Sequence, residues 1–273
     1  MFRDHTIGFI GAGNMGEALI RGLIAASLFT AERIFAYDVI PHRTEYLTRE
    51  FGIKQCGSIG ELAETSSIIV LAVKPQVISE VLSTLRGHLA HKPLVISIAA
   101  GIALSTLESR LPDGASIVRV MPNTPALVQR GASALSCGKA VSATQMEMSL
   151  ALFGSVGKAV AVEEKMMDAV TGLSGSGPAY VLLVIEALVD AGVFMGLPRQ
   201  IATELVVQTV AGTSLMLEKT GKHPAEMKDM ITSPGGTTIH GIQVLESYSV
   251  RGAFMECVEA ATQRSAELGR IQA

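Results

Sequence analysis

The sequence predicts an α/β protein: a doubly wound parallel sheet over residues 1–162, followed by an all-helical domain over residues 163–273. Three features carry that expectation. The apolar run Thr6-Ile-Gly-Phe-Ile10 leads straight into Gly11-Ala12-Gly13-Asn14-Met15-Gly16 and then a helical pattern. Short apolar runs then alternate with helical patterns, as right-handed βαβ units around a parallel sheet require. Beyond Val162 strand-like runs stop, and long stretches rich in Ala, Val, Leu and Met take over. A strand, a G-x-G-x-x-G turn and a helix together form the Rossmann unit that holds a dinucleotide pyrophosphate. Gly11 permits the tight turn, Gly13 lets backbone approach phosphate, and Gly16 lets helix pack on strand.

Strands are expected at Thr6–Ile10, Arg33–Tyr37, Ile68–Val73, Leu94–Ile98, Ile117–Val120, Ala132–Leu135 and Ala159–Val162. Each is a short apolar run of the kind a doubly covered parallel sheet buries. Helices are expected between them at Glu17–Ala26, Thr44–Phe51, Gln76–Leu89, Ser105–Leu111 and Gln145–Phe153. In the second half, Pro178–Met195 is apolar around most of its circumference, with only Glu186 and Asp190 charged. Such a helix is buried on nearly all sides, and in a domain this small that means packing against a partner subunit. Gly196-Leu-Pro198 ends it. Further helices start near Arg199 and cover Thr237–Glu246 and Ala253–Leu268.

The composition is globular: 48% of the 273 residues are hydrophobic and 17% charged. The net charge of −3, without a basic run, argues against nucleic acid as a partner. Cys56, Cys137 and Cys257 are far apart and odd in number, and read as small buried hydrophobes in a reducing compartment. No secretory signal is expected, because Ile7 begins a core strand, and no apolar stretch reaches about 18 residues before a charge or glycine. The expectation is a cytoplasmic protein with no membrane partner and no metal site.

Asp38 closes the second strand, about 20 residues beyond the glycine turn. A carboxylate there accepts the hydroxyls of an adenosine ribose and repels a 2′-phosphate; an acidic turn residue is the alternative. His42 and Arg43 lie close enough to offer positive charge to that phosphate, so NADPH and NADH both stay open. The third strand ends in Ala72-Val73-Lys74-Pro75 and the fourth in Ile98-Ala99-Ala100, where ligands of open α/β sheets sit. Downstream, Thr232-Ser-Pro-Gly235-Gly236-Thr237-Thr238-Ile239 builds a helix entry with freely presented amides, suited to a small carboxylate. Thr238 falls in the first turn with its hydroxyl available. Gly172-Leu-Ser-Gly-Ser-Gly-Pro178 reads first as a site of close helix packing.

Taken together, Phe9-Ile-Gly-Ala-Gly-Asn-Met-Gly16, Ala72-Val-Lys-Pro75, Met121-Pro-Asn-Thr-Pro125, Gly172-Leu-Ser-Gly-Ser-Gly-Pro-Ala-Tyr180 and Lys228-Asp-Met-Ile-Thr-Ser-Pro-Gly-Gly-Thr-Thr-Ile239 resemble pyrroline-5-carboxylate reductase. The resemblance runs from about residue 6 to 268. It implies reduction of 1-pyrroline-5-carboxylate to L-proline by NADPH or NADH, the last step of proline synthesis. It also implies a helical dimerisation domain that interlocks with a second subunit, with dimers gathered into a larger ring. By position, Ile10–Met15, Ala72–Pro75 and Ile98–Ala100 match cofactor-binding segments. Gly236, Thr237 and Thr238, with Gly235 before them, match the segment that holds the substrate carboxylate and ring nitrogen. Where the family often carries a small hydroxyl residue this chain has Asp38. A family Asn near the adenosine falls at Ser58-Ile59, and a Glu that some members place near the substrate falls at Gly221.

Two rival readings differ in testable ways. A hydroxyacid dehydrogenase of similar build would need a catalytic lysine on a helix of the second domain, whereas Lys165, Lys219, Lys222 and Lys228 lie near helix ends or loops. A protein that only senses the dinucleotide would have no use for the Ser233–Thr238 turn.

Overall fold

The computed structural model describes residues 2–272. The elements in order are β1 (Ile7–Ile10), α1 (Asn14–Ala25), β2 (Ile34–Tyr37), α2 (Pro41–Phe51), β3 (Lys54–Gln55), α3 (Ile59–Thr65), β4 (Ile68–Leu71), α4 (Ile78–Leu85), β5 (Leu94–Ser97), α5 (Leu104–Arg110), β6 (Ser116–Met121), β7 (Gly131–Cys137), α6 (Ala143–Gly154) and β8 (Gly157–Ala161). There follow α7 (Met167–Val170), a π-helical turn at Thr171–Gly175, α8 (Gly177–Phe194), α9 (Arg199–Thr220), α10 (Pro224–Met230), α11 (Thr237–Ser247) and α12 (Val250–Gln272).

The eight strands form one sheet in the order β3-β2-β1-β4-β5-β6-β7-β8. Its strands are apolar on both faces because helices cover both. Ile68 and Val70 of β4 join Phe9, Ile20, Leu23 and Phe153 on one side. Ile69 and Leu71 join Leu82, Leu85 and Leu107 on the other. The side-chain alternation of a central strand thus feeds two cores.

All seven expected strands are present, with one correction to the parallel sheet: β6 and β7 pair antiparallel. The link 122–130 is too short for a helical crossover, which takes about a dozen residues or more. It folds instead as a 3₁₀ turn over Thr124–Val128 closed by Gln129 at φ +58°. Between β7 and β8 the helix α6 supplies a full crossover, and that pair is parallel.

The chain divides into two compact units between Ser176 and Gly177, and the residues from Ala260 onward return to the first. This boundary differs from the expected one at 162/163, because residues 163–176 are tied to the sheet. The Glu164 carboxylate accepts from Arg119 Nη1 at 2.6 Å and from the Leu104 amide at 3.0 Å. Met167 is buried, and Asn123 Nδ2 donates to the Ser174 carbonyl at 3.0 Å. Ser265 Oγ donates to Asp168 Oδ1 at 2.7 Å, holding the end of α12 there.

Within the second unit α8 packs against α9 through Gly192, where an added Cβ would stand 3.1 Å from that of Ala202. The buried apolar side chains of this unit are Val189, Ala202 and Met227. Leu182 and Leu183 on α8 are 64% and 66% exposed, and Phe194 is 89% exposed. The apolar helix expected to be buried all round therefore lacks its cover within one chain. The helical run Glu164–Phe194 is also long and apolar enough, by length and composition only, to cross a membrane, contrary to the expectation that no stretch reaches that length.

The cysteines divide by environment: Cys56 is buried, Cys257 half-buried and Cys137 exposed, so Cys137 departs from the expected buried set. Burial, aided by the nearby Glu61 charge, pushes the Cys56 thiol up to about 11. Only the thiolate reacts, so iodoacetamide at pH 8 should alkylate Cys137 well before Cys56, as peptide mass spectrometry would show.

Candidate functional site

The expected dinucleotide residues gather at the carboxyl edge of the sheet. The final residues of β1, β2, β4 and β5 stand in one row: Ile10 is in register with Tyr37 and Leu71, and Leu71 with Ser97. Gly11, Asp38, Ala72 and Ile98 each follow such an end, and strand order reverses between β1 and β4. That reversal is where open α/β sheets bind ligands. Backbone bonds hold the row: Gly11 N to Tyr37 O at 2.8 Å, Ala72 N to Ile10 O at 2.8 Å and Ile98 N to Leu71 O at 3.1 Å.

The three glycines differ in what surrounds them. Gly11 has φ +101°, and a Cβ there would lie 2.5 Å from the Ala72 carbonyl oxygen. At Gly16 it would lie 2.7 Å from the Gly11 oxygen. At Gly13 it would meet nothing within 4 Å. Gly13 is exposed and is the N-cap of α1, with no side chain capping the helix. The first amides of α1 thus open onto empty space at the positive end of the helix dipole, which suits a pyrophosphate. Met15 and Val73 are half-buried, whereas Asn14, Lys74 and Ala100 are exposed. Ile10, Ala12 and Ala99 bury their side chains in the core, so only their backbone faces this edge. Pro75 opens the turn that leads into α4.

Asp38 is already engaged. Its Oδ2 accepts from the Ala12 amide at 2.7 Å and its Oδ1 from the Ile40 amide at 2.9 Å. The carboxylate therefore pins the glycine turn, and any ribose hydroxyl uses the lone pairs that remain. Arg43, expected to be available to a 2′-phosphate, donates from Nε to the Ala12 carbonyl at 2.9 Å and pairs with Glu17 at 2.9 Å. Ser58, of the Ser58-Ile59 pair where the resemblance implies an Asn, spends its hydroxyl capping α3, accepting from the Glu61 amide at 3.1 Å. The cleft lined by Arg86, Lys92, Pro93 and Asp113, about 270 Å³, lies at the opposite, amino edge of β5 and β6.

In the second unit, Gly235 adopts φ +66° and Gly236 is the N-cap of α11. The Gly236 amide donates to the Ser233 carbonyl at 3.1 Å, and a Cβ on Gly236 would collide with the Ser233 hydroxyl. No side chain caps this helix, so the amides at Thr237 and Thr238 are presented outward. Elsewhere in the unit threonine hydroxyls turn back to carbonyls four residues earlier, as Thr209, Thr213 and Thr232 do at 2.7 Å. Four residues before Thr238 stands Pro234, outside the helix. Among the described residues the half-buried Thr238 hydroxyl has no partner. His240 is exposed and bonds the Gly236 carbonyl through Nδ1 at 2.9 Å, so it buttresses the turn. Gly221 is the left-handed C-cap of α9, at φ +63°. A β-carbon there costs about 1 kcal/mol or more, which explains a glycine at this helix end.

Several contributors are missing from the sequence-based expectation. Glu17 and Arg43 brace the glycine turn, and Asn123 joins the end of β6 to the π-turn, accepting from the Ala132 amide at 2.8 Å while donating to Ser174. Of the Gly172–Pro178 segment, Gly175 is closely packed, with a Cβ there 2.6 Å from Met121 Cε, whereas at Gly177 a Cβ would meet nothing within 4 Å. Asn123 lies in Met121-Pro-Asn-Thr-Pro125, one of the motifs that carry the family resemblance, but its bonds are set by tertiary placement.

A glycine-turn sheet edge able to hold a dinucleotide, followed by a helical unit whose α11 entry has no side-chain cap, matches the class of nicotinamide-dependent oxidoreductases. The chain belongs to the pyrroline-5-carboxylate reductase family. The family model for pyrroline-5-carboxylate reductase dimerisation matches residues 164–268, and that for NADP oxidoreductase, coenzyme F420-dependent, matches residues 6–101. Pyrroline-5-carboxylate reductase of Methanosarcina acetivorans is 48% identical, over 98% of this chain and 99% of its own. The solved reductase of Coxiella burnetii superposes with a TM-score of 0.93 at 35% identity, covering 97% of this chain and 98% of its own. The Plasmodium falciparum reductase, solved with NADP bound, gives 0.87 at 37% identity, covering 98% and 100%.

Proposed function

We infer that this chain reduces 1-pyrroline-5-carboxylate to L-proline with NADPH or NADH. The observation that carries the reading is the full-length relationship at 48% identity, joined to an uncapped glycine turn whose middle glycine opens onto space a phosphate can fill. The residues present fit the dinucleotide: Gly11, Ala12, Gly13, Asn14, Met15 and Gly16 for the pyrophosphate, Asp38 for the ribose, and Ala72–Pro75 with Ile98–Ala100 along the strand ends. When bound, the nicotinamide supplies the hydride that saturates the imine carbon. The Thr237 and Thr238 amides receive the substrate carboxylate, at a helix entry shaped by Gly235 and Gly236. Thr238 Oγ hydrogen-bonds the ring nitrogen, which arrives protonated, so the chain need only hold that proton in place rather than deliver it. Purified protein should oxidise NADH or NADPH only when pyrroline-5-carboxylate is added; oxidation without it, or none with it, would refute the assignment.

The dimerisation family supports a homodimer in which the exposed face of α8 is covered by a second copy. We place the dimer in the cytoplasm, gathered into a larger ring, with neither nucleic acid nor membrane as partner. Light scattering at low micromolar concentration should return at least a dimeric mass. A monomer retaining full activity would exclude the interlocked arrangement, since so large an apolar face does not stay in water.

A further inference from the structure

The backbone of Ala12 is held on both sides of its Cα. Its N–H is held by Asp38 at 2.7 Å and its carbonyl by Arg43 Nε at 2.9 Å. The Arg43 guanidinium is also committed elsewhere: Nη2 donates to Glu17 Oε2 at 2.9 Å, and the group stands 5.4 Å from the Tyr46 ring centre. Both partners of this ion pair are largely withdrawn from solvent, with side chains 29% and 18% exposed. The second Glu17 oxygen accepts from Arg21 at 3.0 Å and from the Tyr46 hydroxyl at 3.4 Å. Glu17 lies in the first turn of α1, one turn from the amides proposed for the pyrophosphate. A carboxylate so close to phosphate has to be neutralised, and Arg43 and Arg21 do that.

We propose that Glu17 is a specificity-determining residue for the cofactor. By holding Arg43 against α1 and the Ala12 carbonyl, it withholds from the adenosine 2′ position the guanidinium that a 2′-phosphate would need. Asp38 and Glu17 then act from two directions. One places negative charge beside the 2′ position, and the other sequesters the cation that could offset it. The free 2′-hydroxyl of NADH meets neither penalty. A bidentate guanidinium–phosphate pair is among the strongest contacts available to such a ligand, so its denial weighs heavily. The inference rests on the reading of Asp38 as facing the ribose.

The test is the ratio of dissociation constants for NADH and NADPH, measured calorimetrically without substrate, in protein whose melting temperature is checked. The wild type should bind NADH at least as tightly as NADPH. Glu17→Gln should shift the ratio toward NADPH by roughly tenfold, the value of one charge-assisted contact. A general gain at the pyrophosphate cancels in the ratio. Arg43→Met alone should weaken both cofactors alike, because Arg43 is spent on the turn, and in the Glu17→Gln background it should erase the gain. Asp38→Ser should also move the ratio toward NADPH. A wild type that binds NADPH ten times more tightly, an unmoved ratio in Glu17→Gln, or a selective NADPH loss in Arg43→Met would each overturn the role of Glu17. If Asp38→Ser moves the ratio while Glu17→Gln does not, the ribose reading stands and this proposal falls. If Asp38→Ser leaves the ratio unmoved, both fall.

Discussion

Gly13→Val is expected to fold normally and to bind neither NADH nor NADPH measurably. Gly13 is exposed and an added Cβ there meets nothing within 4 Å, so a side chain at this position should cost little stability. That same space is where the pyrophosphate must come against the backbone, and two methyl groups fill it. The loss should be at least about a hundredfold in dissociation constant, equivalent to ~2.8 kcal/mol. Its neighbours provide the contrast. At Gly11 an added Cβ would lie 2.5 Å from the Ala72 carbonyl, and φ is +101°. At Gly16 it would lie 2.7 Å from the Gly11 carbonyl. Valine at either position should lower the melting temperature and pull α1 off β1. Calorimetric titration with thermal melts separates the cases. Unchanged affinity in folded Gly13→Val would show that the phosphates do not pass this turn.

The strands of the first unit were legible because a sheet covered on both faces demands uninterrupted apolar runs, and such runs stand out against the helices between them. β3 escaped notice since Lys54 and Gln55 are polar and exposed, and only their backbone pairing with Phe35 and Ala36 makes them a strand. α3 was hidden by Gly60, an unfavourable helix residue that sits there because the His88 ring lies over it, 2.7 Å from where a Cβ would be. The reversal at β7 depends on the length of a link, which apolar patterning does not encode. In the site, the glycine turn and the Gly235–Thr238 entry were legible because their function is a backbone geometry that few residue types permit. The engagement of Asp38 was not, because a carboxylate's partners are set by tertiary placement. Nothing in Asp38-Val-Ile-Pro-His-Arg43 says that both charged ends close on Ala12.

Thr238→Ala is expected to leave cofactor binding untouched and to slow reduction. The amides of the Gly236–Thr238 turn are backbone groups, so the substrate carboxylate keeps its anchor when the side chain is cut. Gly236 retains its bond to the Ser233 carbonyl, and His240 still buttresses the N-cap. What is lost is a threonine hydroxyl whose position, just inside the helix start, keeps it from folding back onto a carbonyl. As the imine carbon is reduced the ring nitrogen passes from iminium to amine and gains a lone pair, to which the Thr238 hydroxyl can donate. An oxygen that meets the nitrogen better in the transition state than in the bound substrate raises kcat. Each ~1.4 kcal/mol of such stabilisation removed lowers kcat about tenfold, and a tenfold or larger fall is expected. A bond equally strong before and during transfer would instead raise KM and leave kcat alone. Thr238→Ser keeps the hydroxyl and should recover much of the rate, which a purely packing role for the methyl group would not allow. Steady-state kinetics of the three proteins at saturating cofactor decide among these, and wild-type kcat and KM in Thr238→Ala would remove the hydroxyl from the reaction altogether.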